Sequence, residues 1–214
     1  MFARYLKLLL ILLLLSTESS FASKMIEIEE LSAPDDIAFF DENGKKHFTT
    51  EFDGKTLLLT FWATWCANCV QEMHDLDVLQ KDFRKLPFVI IAVSQDFQGL
   101  SIIKEYFKNN DIRYLDIYHD YHNQLFRAYS VVGLPTSFLI NQEGKIVLSF
   151  IGTIDWYNAS IRQMILSHIP GDHPEPKNSY KKPTLNKKVI PFISRNNDNI
   201  KTQQHMRGKN AKSQ

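Results

Sequence analysis

Apolar residues along the chain fall into two patterns, short unbroken runs and faces spaced by three and four. Thr56-Leu57-Leu58-Leu59-Thr60-Phe61-Trp62 is unbroken and follows a turn signal at Asp53-Gly54. Such a run predicts a strand covered on both faces. Directly after it, Val70, Met73, Leu76, Leu79 and Phe83 recur at helical spacing. They predict a helix that opens near Cys66, runs to about residue 85 and is ended by Pro87. Phe88-Val89-Ile90-Ile91-Ala92-Val93 reads as a second buried strand, and Ile102, Ile103, Tyr106 and Phe107 as a second helix stopped by Asn109-Asn110. Residues 114–118 alternate weakly and predict a third strand; residues 122–130 suit a short helix. Gly133-Leu134-Pro135-Thr136 breaks the pattern. Ser137–Ile140 and Ile146–Phe150 then flank Asn141-Gln142-Glu143-Gly144-Lys145, a hairpin signal. Ile154, Tyr157, Ile161, Met164, Ile165 and His168 predict a last helix with Asp155 in its first turn, where the helix dipole favours a carboxylate. Residues 25–55 form a β-rich lead-in, with Asn43-Gly44 between two aromatic-containing arms predicting a hairpin.

Strands alternating with helices, closed by a hairpin, predict an α/β three-layer sandwich with a mixed central sheet and an N-terminal β-hairpin. Loops at the carboxyl ends of strands are where open α/β sheets place their sites. The two ends of the chain are different. Arg4 and Lys7 precede the apolar run Leu8–Leu15, and Ser20-Phe21-Ala22 fits a small-x-small cleavage pattern. Residues 1–22 therefore read as a secretory signal peptide, with an uncleaved anchor as the alternative. The run falls well short of the roughly 20 apolar residues that span a membrane. Residues 171–214 are rich in Pro, Lys, Asn, Ser and Gln and read as a disordered tail.

Charge sharpens this division. The tail carries ten Lys/Arg against three Asp/Glu, and residues 23–170 carry 13 against 20. An acidic body bears a basic tail, which either contacts anionic membrane or an acidic partner or is simply solvated. Export places the body in an oxidising compartment, in a bacterium the periplasm. Neither a phosphate-binding glycine loop nor an internal repeat is present. No cofactor and no nucleic-acid partner are expected.

The chain has two cysteines, Cys66 and Cys69, placed where the first long strand meets its helix. A helix opening at Cys66 puts the two side chains one turn apart on one face. The helix N-terminus stabilises a thiolate at Cys66, which attacks a disulfide, and Cys69 resolves the mixed disulfide. A purely structural bridge across so short a loop would restrict little. Structural zinc wants four ligands, and a second cysteine pair is missing. A copper site using Cys66, Cys69 and one of His74, His119 or His122 remains the alternative of a different class, and a pair of inert buried thiols is a third.

Phe61-Trp62-Ala63-Thr64-Trp65-Cys66-Ala67-Asn68-Cys69-Val70-Gln71-Glu72, together with Gly133-Leu134-Pro135-Thr136-Ser137-Phe138-Leu139-Ile140, resembles the TlpA/ResA/CcmG branch of the thioredoxin superfamily. The resemblance covers about residues 30–168. It implies a thiol–disulfide oxidoreductase, usually a reductant of extracytoplasmic protein disulfides such as those of apocytochrome c, recharged by a membrane electron donor. It implies a cis peptide bond before Pro135, which leaves the Leu134 backbone to pair with an extended substrate. It assigns Glu72 to thiol acid–base behaviour and partner recognition, against the alternative of a solvated helix glutamate. Trp65 is expected to flank the site as an exposed docking surface. Two residues depart from the pattern. Asn68 stands where the branch commonly has proline. Thr60 stands where thioredoxin has a buried aspartate, which leaves Glu72 as the expected nearby carboxylate.

Overall fold

The computed structural model describes residues 24–173. The expected signal segment, residues 1–22, and nearly all of the expected tail lie outside the described residues. Among those described, eight strands form one sheet and four α-helices pack on it. In chain order they are β1 (Lys24–Ser32), β2 (Phe39–Asp41), β3 (Lys46–His47), β4 (Thr56–Trp62), α1 (Ala67–Phe83), β5 (Phe88–Ser94), α2 (Leu100–Asn109), β6 (Tyr118–His119), α3 (Gln124–Ala128), β7 (Thr136–Ile140), β8 (Lys145–Ile151) and α4 (Ala159–Ser167). The sheet order is β1-β8-β7-β4-β5-β6-β2-β3. β4, β5 and β6 are parallel; the remaining pairings are antiparallel, so the sheet is mixed as the sequence predicts.

β4 is buried along its whole length because both faces are covered. Leu58 and Trp62 pack beneath α1, α2 and α4 with Met73, Leu76, Ile103, Tyr106 and Ile165. Leu57, Leu59 and Phe61 point the other way, toward Leu125 of α3 and Phe138 of β7. The period of two along the strand thus feeds two separate cores. No helix among the described residues is long and apolar enough to cross a membrane.

Two elements differ from expectation, each because a side-chain carboxyl group takes backbone N–H groups. The strand expected at 114–118 shrinks to Tyr118–His119. Asp77 of α1 accepts the N–H groups of Arg113, Tyr114 and Leu115 at 3.0, 2.6 and 3.0 Å, so this stretch is bound to the helix instead of the sheet. The last helix begins at Ala159, not at Ile154. Asn158 caps it by accepting from Ser160 and Ile161, while the Ile154 N–H is donated to Glu72. Asp155 therefore lies outside the first turn, where its carboxylate accepts the Tyr157 N–H at 3.2 Å.

α4 is fastened to α1 by Arg162, whose Nη2 donates to Asp82 at 3.0 Å while the guanidinium lies 5.0 Å from the Phe83 ring centroid. Both side chains of the ion pair are almost fully buried. Removing one partner of such a pair takes that compensation away from the other buried charge. Asp82→Ala is expected to lower the unfolding free energy by about 3 kcal/mol, read as a shift in the urea midpoint. A change below about 1 kcal/mol would mean that water reaches the pair and screens it.

Candidate active site

Cys66 is the N-cap of α1, with extended backbone, and its sulfur accepts the Cys69 N–H at 3.2 Å. The first intrahelical bond, Val70 N–H to Cys66 carbonyl, follows at 3.0 Å. One helical turn brings the two cysteines to a Cα separation of 5.2 Å, and they are joined as a disulfide. Their environments differ. Cys66 retains 9% of its surface and Cys69 only 1%, so Cys66 is the more exposed of the two. Trp65, just before it, is 43% exposed.

The Leu134–Pro135 peptide bond is cis. Thr136 pairs with Phe61 in the antiparallel β4–β7 ladder. That register sets Pro135 and Leu134 beside the chain leaving β4 toward Cys66. Gly152 donates its N–H to the Pro135 carbonyl at 3.0 Å, which fastens the loop to the end of β8. Leu134 is partly buried and packs against both cores.

Glu72 is not the solvated glutamate allowed for above: it is 2% exposed. Its Oε1 accepts the Ile154 N–H. Its carboxyl is pushed up to about 8. Burial is the main cause, because it disfavours the charged form. The Ile154 N–H opposes that push, and the Trp156 indole N–H, short of a well-formed hydrogen bond, acts in the same direction as Ile154. The charge of Asp75 adds to the upward push. Thr60 is buried and shares a 3.0 Å hydrogen bond with Ser137.

Sequence reasoning missed a second carboxylate here. Asp96, two residues past β5, is fully buried and accepts the Thr64 hydroxyl at 2.6 Å and the Thr64 N–H at 3.0 Å. In sequence it is one polar residue in an apparent loop, and nothing in its spacing announced it. Of the histidines weighed for copper, His119 is buried with Nε2 donating to the Asp96 carbonyl at 2.7 Å. No group of three or more His, Cys, Asp and Glu among the described residues is arranged to hold a metal ion.

The AhpC/TSA family profile matches residues 28–149. Thiol-disulfide oxidoreductase ResA of Bacillus thuringiensis subsp. konkukian is 33% identical over 112 residues, covering 52% of this chain and 64% of that protein. The chain thus spans just under two thirds of that relative's length. ResA of Bacillus subtilis is 33% identical over 134 residues, covering 63% of this chain and 73% of its own. Two solved structures share the thioredoxin-like fold. A thiol:disulfide interchange protein of the thioredoxin family from Chlorobium tepidum superposes with a TM-score of 0.55 at 25% identity, covering 66% of this chain and 99% of that one. The pneumococcal exposed lipoprotein thioredoxin from Streptococcus pneumoniae gives 0.54 at 25%, covering 61% and 98%.

The sign of the Glu72 effect on stability follows from its raised carboxyl. The folded chain keeps a proton to about pH 8 that the unfolded chain releases near its ordinary value of 4.5. Stability is therefore greatest below the ordinary value and falls as pH rises through that window. Glu72→Gln has no proton to lose and retains an oxygen for the Ile154 N–H. Its stability relative to wild type is expected to rise between pH 5 and pH 8.5, by on the order of a few kcal/mol. Urea unfolding at the two pH values measures it; an equal difference at both would show that Glu72 does not hold its proton.

Proposed function

The chain belongs to the AhpC/TSA family, and from that premise we propose that it is an exported thiol–disulfide oxidoreductase that reduces protein disulfides outside the cytoplasm. The carrying observation is the asymmetry of the pair: the more exposed Cys66 at a helix N-cap and the nearly inaccessible Cys69 one turn further on. In the reduced protein the Cys66 thiolate attacks one sulfur of the substrate disulfide. That bond breaks, and the departing substrate sulfur takes up a proton. The Cys69 thiol then loses its proton and attacks Cys66 Sγ, which closes the Cys66–Cys69 bond and releases the second substrate sulfur as a thiolate. Two electrons pass from this protein to the substrate, and a thiol donor at the membrane restores them.

Several residues serve this reading. Pro135, by its cis bond, shapes the groove beside the pair, and the Leu134 backbone pairs with an extended substrate segment. Trp65 offers an exposed aromatic surface for docking. Glu72 moves protons at the resolving step, since a carboxyl poised near neutral pH can both hold and release one. Relatives named thiol-disulfide oxidoreductase ResA support the redox activity, and the resemblance suggests the reductive direction and apocytochrome c as the substrate class. Residues 1–22 as the export signal, 23–170 as the working domain and the basic 171–214 as a tail that can touch anionic membrane complete the proposal. A copper-binding role is disfavoured by the missing donor cluster among the described residues and by the commitment of His119 to Asp96.

Insulin reduction and the potential of the pair test the reading together. A reductant is expected near the thioredoxin value of about −270 mV; a value near about −120 mV would make the protein an oxidant instead. Cys66→Ser is expected to abolish turnover, and Cys69→Ser to accumulate a mixed disulfide with substrate on gel electrophoresis. Turnover that survives Cys66→Ser removes the redox reading altogether.

A further inference from the structure

The segment between β4 and α1 has few bonds of its own. Sheet pairing ends at Trp62, whose carbonyl accepts the Gln95 N–H at 2.8 Å, and helix bonds begin at Cys66. Between them the Cys66 N–H reaches back to the Ala63 carbonyl at 3.1 Å. Thr64, at the centre, is buried, and its N–H and hydroxyl need acceptors. Asp96 supplies them. One carboxylate oxygen accepts the Thr64 hydroxyl at 2.6 Å; the N–H lies 3.2 Å from that oxygen and 3.0 Å from the other.

Asp96 is itself immobilised. Ser94 Oγ donates to its second oxygen at 2.7 Å and accepts its N–H at 3.0 Å, and His119 donates to its carbonyl. None of the ion pairs among the described residues includes Asp96. A buried carboxylate without a cationic partner is costly unless its hydrogen bonds offset the loss of water. Bonds to a charged acceptor are also shorter and stronger than those between neutral groups. This one is directed at the residue two places before Cys66.

We propose that Asp96 is a positioning residue for Cys66: through Thr64 it fixes the strand-to-helix loop, and so holds the sulfur at the N-cap, where the free N–H groups of α1 stabilise its thiolate. The inference rests on the redox reading of Cys66 for its functional meaning. The other titratable groups on the elements around the loop are Glu72, His74 and Asp75 on α1, Tyr106 of α2, whose hydroxyl donates to the Val70 carbonyl, and His119 on β6, and all are retained in the test.

Removing Asp96 has two opposite effects on the Cys66 thiol. Losing a nearby negative charge would ease ionisation; losing the N-cap position would hinder it. The pH profile therefore separates positioning from a charge effect. The experiment uses the full chain, reduced, with Cys69→Ser so that Cys66 is the thiol read, and follows iodoacetamide alkylation against pH. In that background Asp96→Asn and Thr64→Val are each expected to move the profile upward and to slow alkylation at neutral pH about threefold to tenfold. Asp77→Asn is the control for mere loss of a buried carboxylate. It also accepts three backbone N–H groups, but lies more than two helical turns beyond Cys69. It is expected to lower the melting temperature and leave the profile in place. An unchanged or downward-shifted profile in Thr64→Val, or in a folded Asp96→Asn, overturns the proposal. Alkylation does not depend on turnover. If the wild type fails to reduce insulin while the variants still show these shifts, the redox reading falls and the positioning role stands.

Discussion

The site depends on one constraint, the double pairing of β4. This strand is hydrogen-bonded in parallel to β5 and antiparallel to β7, in unbroken register on both sides. Its carboxyl end therefore meets the carboxyl end of β5 and the start of β7 at one edge of the sheet. Cys66, Asp96 and the cis-bonded Pro135 come from three loops separated by many residues, and that register brings them together. A strand buried on both faces cannot slip by one residue without exchanging the side chains that fill its two cores. The same burial that stabilises the fold thus fixes the relative positions of the loops.

A second theme is the use of carboxyl side chains as acceptors for backbone N–H groups. Glu72 accepts from Ile154, Asp77 from residues 113–115, Asp96 from Thr64, and Asp120 from Gln124 and Phe126 at 2.8 and 2.9 Å. Each lies where regular pairing stops and gives backbone donors there an acceptor. Such bonds convert loops into fixed structure without lengthening a strand or helix. Their consequences diverge with location. Asp77 shortens a strand, whereas Glu72 couples the cysteine helix to the segment after β8 and holds a proton whose release is set by burial.

Much of this architecture was legible in the residue pattern. The unbroken run Thr56–Trp62, the face Val70–Phe83 and the Asn141–Lys145 hairpin became β4, α1 and the β7–β8 turn. Where the reading slipped, a long-range bond was responsible. Tyr114 looks like strand by alternation and Ile154 looks like helix by spacing. The acceptors that claim them, Asp77 and Glu72, are 37 and 82 residues distant. Periodicity reports which face a residue shows to the core; it carries no information about which distant side chain will take its N–H.

The sequence by itself determined the mixed α/β layering, the redox-competent spacing of Cys66 and Cys69, and their place at a strand-to-helix junction. These follow from local period and residue chemistry. Tertiary structure alone decided which cysteine is the more exposed, that Glu72 is buried with its carboxyl pushed up to about 8, and that Asp96 grips the loop before Cys66. Burial and ionisation depend on what packs against a side chain from elsewhere in the chain, and that is set only when the sheet is assembled.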